Sequence, residues 1–175
     1  MSFRALVILL SLAVFVVSAC GDSEEHAQET PSATEQAIPS PTPPESVQVR
    51  IRELVIQAET AVTAEERGQG LSGRQTLADD AGMLFFMSEE RIPGFHMNNM
   101  LLPLDFVWIS RSGAVVDLTE NVPHPAANNG EVLNGISPSE PVKYVLEVNA
   151  GVIETWDLQI GDRVMFVPDI LDDGA

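Results

Sequence analysis

The chain has 175 residues, with 9 Lys and Arg against 26 Asp and Glu, for a formal net charge of −17 at pH 7. That surplus repels phosphate backbones and anionic headgroups, so nucleic acid and peripheral contact with an acidic bilayer are excluded as expected partners. The only cysteine, Cys20, leaves no second sulfur for an intramolecular disulfide.

Residues 1–19 carry one cation, Arg4, then an apolar run from Ala5 to Val17 and the small residues Ser18 and Ala19 before Cys20. This is the three-part layout of a secretory signal, too short for a comfortable membrane span. Val17-Ser18-Ala19-Cys20 resembles the lipobox of bacterial lipoproteins, in which diacylglycerol is attached to the cysteine sulfur and cleavage leaves that cysteine first. Lipidation would also consume the lone thiol. Several acyl chains would hold the protein to a membrane permanently, outside the cytoplasm.

Residues 20–46 hold acids, serines, threonines and prolines, with Ile38 as the one sizeable apolar residue after the cysteine. Such a stretch cannot bury enough surface to offset its ordering entropy, and it is expected to be a tether spanning roughly 25–30 Å. One compact domain is expected over 47–168, and an acidic, fraying tail over 169–175.

Within the domain, strand signals outnumber helix signals. Val47 to Arg52 alternates apolar and polar, and Leu54 to Ala58 is expected to continue it after a kink. Thr63-Ala64-Glu65-Glu66 has capping-box form and predicts a short helix ending at Gly68 or Gly70. Gly82 to Met87 reads as a strand buried on both faces, followed by strands over Leu104 to Ile109, Ala114 to Thr119, Tyr144 to Val148 and Arg163 to Val167. A brief helix is expected over Gly151 to Asp157. Many short strands with one or two short helices predict a mainly β sandwich or barrel-like domain.

The blocks RGQGLSGR (Arg67 to Arg74), AGMLFFM (Ala81 to Met87), FHMNNMLLPLDFVWI (Phe95 to Ile109), YVLEVNAG (Tyr144 to Gly151) and IGDRV (Ile160 to Val164) resemble, in order and spacing, the family called domain of unknown function 192. The resemblance runs from about Val49 to Val167. It implies a mainly β, sandwich-like fold and no particular activity. Two departures stand out. Where the family usually has Phe-Trp-Met-Lys-Asn, this chain has Phe95-His96-Met97-Asn98-Asn99. Where many relatives carry prolines and cysteines between 121 and 141, it has Pro123-His124-Pro125 and no cysteine.

Alternation in Leu102 to Ile109 puts Asp105 with Val107 and Ile109, and alternation in Tyr144 to Val148 puts Glu147 with Val145. Both acids are expected to be at least partly buried, and a buried carboxylate must be paired, hydrogen-bonded or neutral. One reading pairs them with Arg67, Arg74 or Arg163, or with strand-end amides. The sharper one has Asp105 and Glu147 facing one pocket as a cation site or acid and base, in a hydrolase or metal-assisted enzyme. His96 and Met100 suit copper(I), although packing alone also explains Met97 and Met100. No nucleophile elbow, phosphate loop or zinc ligand set occurs, so no cofactor is expected. The leading expectation is a lipid-anchored module of the cell envelope that binds a small ligand, a glycan or an envelope protein. Its candidate contacts are Arg74, His96, Asn98, Asn99 and Asp105.

Overall fold

The computed structural model describes residues 44–171; the signal, Cys20 and nearly all of the tether lie outside the described residues. Seven strands form one sheet in the order β6-β5-β8-β3-β2-β1-β9. They are β1 (Ser46–Ile51), β2 (Leu54–Ala61), β3 (Ala81–Arg91), β5 (Leu104–Ile109), β6 (Val115–Val122), β8 (Val142–Asn149) and β9 (Val164–Val167). A second, two-stranded sheet pairs β4 (Phe95–His96) with β7 (Asn134–Ile136). Every pair in the large sheet is antiparallel except β2 with β3, which are parallel and joined through the short helix α1 (Ala64–Gln69). The sheet curls into a half-barrel whose edge strands approach each other through a bridge between Ala114 and Arg163.

The two faces bury different sets of side chains. Every strand of the large sheet contributes to the concave face, with Val49, Ile56, Leu84, Val107, Leu146 and Phe166 among its residues. The convex face is buried mainly over β3, β8 and β5, where Met83, Phe85, Phe106, Trp108 and Val145 are covered by Leu71, Met97 and Met100, with Ala61 of β2 and Val122 of β6 at its margins. A strand covered on both sides is buried at every position, as all six residues of β5 are, and all of them but Asp105 are apolar. Phe95 of β4 anchors the cover, meeting Phe85, Phe106 and Trp108 edge-on at ring distances of 5.1, 5.7 and 5.6 Å. Each such contact contributes about 0.5–1.5 kcal/mol beyond burial.

Local chemistry fixes the short helices. Thr63 accepts from the Glu66 amide while Glu66 reaches back to the Thr63 amide, a complete capping box, and α1 ends at Gly70. The second helix, α2 (Val152–Thr155), starts from Gly151 at φ 88°. A single 3-10 turn, Pro125–Asn128, sits in the loop between β6 and β7.

The structure departs from expectation in four places. The kink after Ile51 is a hairpin: Ile51 pairs with Leu54, and Arg52 adopts φ 53° where no glycine or asparagine signals a turn. Strands β4 and β7 are too short to show any period. At the start, ordered pairing begins before residue 47, because the carbonyls of Pro44 and Glu45 already accept from Thr60. At the end, Ile170 and Leu171 pack on the concave core, and the Ile170 carbonyl accepts from the Tyr144 hydroxyl, so the packing extends past residue 168.

Candidate functional site

Asp105 and Glu147 are the only buried charged residues among those described, at 0% and 5% exposure. They lie on adjacent strands, since Asp105 pairs with Val148 and Phe106 with Glu147. Alternation nevertheless sends them to opposite faces, Asp105 with Val107 and Ile109 of the concave core and Glu147 with Val145 and Phe106 of the convex one. A shared acid pair is therefore ruled out by the pleat of the sheet.

Asp105 is a structural group. One carboxylate oxygen accepts from the Asn121 amide at 2.7 Å and the other from the Ile153 amide at 2.9 Å. It thereby ties β5 to β6, where Asn121 has φ 54°, and satisfies an amide in the first turn of α2. Its partners are strand-end and helix-end amides, and none of Arg67, Arg74 or Arg163.

Glu147 has no hydrogen-bond or ion-pair partner among the described residues, and burial alone pushes its carboxyl up to about 8. It forms part of the wall of a cleft of about 110 Å³ on the convex face. Phe85, Met87, Phe95 and Met100 supply apolar wall, while Arg67, Gln69, Ser72, Arg91 and His96 supply polar groups. Two covering segments make the cleft, the end of α1 and the β3 to β4 turn. Gly70 lets the first approach closely: its φ is +47°, and a Cβ there would stand 3.2 Å from the Phe85 ring.

The guanidinium of Arg67 is fixed by donating to the carbonyls of Val62 and Phe86. Neither Arg67 nor Arg91 closes an ion pair among the described residues, and the same holds for Arg50 and Arg163, whereas Arg52, Arg74 and Arg111 each face an acid. Hydrogen bonds from the Thr63 and Val62 amides hold the Glu66 carboxyl low, and the Arg67 charge lies near enough to add to them. Arg74 holds Glu59 through two contacts of 2.6 Å in a separate, broader groove of about 840 Å³, and does not reach the cleft. That pairing holds the Glu59 carboxyl below its usual range.

His96 borders both the cleft and a neighbouring depression of about 240 Å³ that Asn98 and Asn99 also line. The Asn98 and Asn99 carbonyls accept from the Ser72 hydroxyl and the Gly73 amide, joining the two covering segments. Asn99 has φ 56°, a conformation asparagine tolerates well, so this pair is at least partly a loop clamp. Met100 joins His96 at the cleft, whereas Met97 is fully buried core. Sequence reasoning missed Arg67 and Arg91 as cleft residues. Residues 67, 91 and 147, all charged and distant in sequence, line one cleft through the β2-β3-β8 pairing, and only the Arg-Gly-rich block at Arg67 hinted at it.

Among the described residues no group of three or more His, Cys, Asp or Glu could hold a metal, and no helix is long and apolar enough to cross a membrane.

Fold and site define a mainly β domain, a curled sheet whose covered convex face encloses one buried, unpaired acid. The chain belongs to the domain of unknown function 192 family, described as "Uncharacterized ACR", whose model matches residues 47–166. Two solved structures are similar. One, from Sinorhizobium meliloti 1021 and described as a candidate transcription regulator, is 33% identical with a TM-score of 0.61, covering 70% of this chain and 94% of that one. The other, a protein of unknown function from Novosphingobium aromaticivorans DSM 12444, is 27% identical with a TM-score of 0.60, covering 77% and 97%. No curated protein matches.

Proposed function

We propose that this protein is a lipid-anchored, extracytoplasmic module that binds a small ligand in the cleft containing Glu147. The observation that carries the reading is the buried carboxyl without a partner. The carboxyl has no protein partner among the described residues and opens on the cleft, so its partner there comes from outside the fold, water or a ligand. The lipobox-like Val17-Ser18-Ala19-Cys20 supports the anchor, and the acidic tether supports a domain held away from the bilayer.

A cleft of about 110 Å³ is well below the roughly 300–1,000 Å³ of drug-sized sites. A small molecule or the end of a larger one is its natural occupant, in preference to a glycan chain or a protein surface. Separation of the two acids removes the motive for an enzyme built on Asp105 with Glu147. Copper through His96 and Met100 is disfavoured by Arg67 and Arg91 in the same cleft, because two cations repel a third. The regulator description of the Sinorhizobium relative does not transfer readily, since a net charge of −17 opposes binding to DNA.

The test has two parts. Radiolabelled palmitate is expected to label the full-length chain in its host and to be lost in Cys20→Ser. A thermal-shift screen of small acids, neutral polar molecules and amines is expected to find a ligand that stabilises the wild type and leaves Glu147→Leu unmoved. If every compound shifts both proteins equally, the cleft is not a binding site.

A further inference from the structure

Charge distribution around the cleft narrows the class of ligand. Although acids outnumber bases 26 to 9 in the chain, Glu147 is the only acid lining the cleft, and the other ionisable groups there are Arg67, Arg91 and His96. Among the described residues neither Arg67 nor Arg91 closes an ion pair, so that in the cleft the guanidiniums outnumber the one acid. Arg67 is also held in place by the Val62 and Phe86 carbonyls, so its fork is oriented before any ligand arrives. We propose that the cleft takes a small organic anion, its charge facing Arg67 and Arg91 and one of its oxygens accepting a hydrogen bond from the Glu147 carboxyl.

This rests on the ligand-cleft reading above and adds to it the sign and size of the ligand. A cation would meet two guanidiniums; an anion meets one acid, and that acid is neutral at pH 7 because burial holds its proton on. A neutral carboxyl offers one O–H donor, and donation to a charged oxygen is among the stronger hydrogen bonds. Phe85, Met87, Phe95 and Met100 suit a short hydrocarbon portion, and about 110 Å³ limits it to a few heavy atoms. A free short-chain acid and the carboxylate end of a longer molecule share this chemistry.

Calorimetric titration of the full-length protein in detergent tests it, with acetate and pyruvate as free acids, N-acetylalanine as a chain-end mimic, and acetamide and propylammonium as controls. Binding is expected for at least one of the carboxylates and for neither control. A preference for N-acetylalanine assigns a chain end, and a preference for acetate or pyruvate assigns a free acid. Arg67→Met and Arg91→Gln are each expected to weaken binding about tenfold. Glu147→Gln keeps a neutral donor and is expected to stay within about threefold of the wild type at pH 7, whereas Glu147→Leu loses binding.

Wild-type affinity is expected to fall between pH 7 and 9.5 as Glu147 ionises, and the fall to vanish in Glu147→Gln. His96 is the other titratable neighbour, so His96→Ala is expected to keep the fall. Binding of propylammonium or acetamide in preference to the acids overturns the anion assignment and leaves the ligand cleft standing. Loss of anion binding in a folded Glu147→Gln, with retention in both arginine variants, overturns it too. If no probe distinguishes the wild type from Glu147→Leu, both readings fall.

Discussion

Glu147→Gln gives the most direct measure of what the buried carboxyl does to the fold. In the unfolded chain the carboxyl returns to its ordinary value of 4.5; in the folded protein burial holds it at about 8. Between those values the folded state keeps a proton that the unfolded state has released, so stability falls as pH rises. The fall begins near pH 4.5 and is complete above about pH 8. At about 1.4 kcal/mol per pH unit, the interval corresponds to about 5 kcal/mol. That is an upper bound, because water entering the cleft would solvate the carboxylate. Glutamine has the same shape and no proton to lose, so its profile lacks this component. Urea unfolding of both proteins at pH 5, 6.5, 8 and 9 is expected to give curves that diverge steadily, the variant being more stable by several kcal/mol at pH 9. Parallel curves would refute the reasoning, since they would mean that Glu147 is solvated or paired in the folded protein.

Gly82→Ala is expected to destabilise by about 1–3 kcal/mol or more, because the new methyl would meet the Glu147 carbonyl oxygen at 2.7 Å and Ile56 at 3.0 Å; thermal unfolding reads the loss. Asp105→Ala orphans the buried Ile153 amide and the part-buried Asn121 amide that now donate to a carboxylate, and is expected to cost about 2–4 kcal/mol in urea unfolding. Arg74→Ala breaks a pair whose side chains are 34% and 54% exposed, so its effect is expected to stay below about 1 kcal/mol, with ligand binding unchanged by calorimetry.

The sequence carried the alternation of the central strands plainly, because a strand packed on both sides must be apolar throughout, and an acid in such a run is conspicuous. Leu104 to Ile109 and Tyr144 to Val148 therefore revealed Asp105 and Glu147 as buried, and period two already assigned each to a face. What period two cannot say is which face of one strand aligns with which face of another. That depends on the pairing of Asp105 with Val148, a tertiary fact. The cover over the convex face was illegible for a related reason. Phe95 and His96 form a two-residue strand, and Leu71 and Met100 sit in irregular loops, so no periodicity marks them. The hairpin at Arg52 lacked the usual turn residues, and the convergence of Arg67 and Arg91 needed the parallel β2 to β3 crossover.

The two buried acids make a controlled comparison within one molecule. They sit on neighbouring strands at nearly equal burial, one register position apart, in the same sheet. Asp105 has a structural reason to be there, since both oxygens accept from amides, one in β6 and one in α2. Glu147 has none. An apolar residue would fit between Met83 and Phe106 and would relieve an unfavourable desolvation, so the carboxyl is at odds with the packing around it. Places where a sequence acts against local stability concentrate where a group must be available to something else. Asp105 is thus explained by the fold, whereas Glu147 is not, and the proposed ligand is what would account for it.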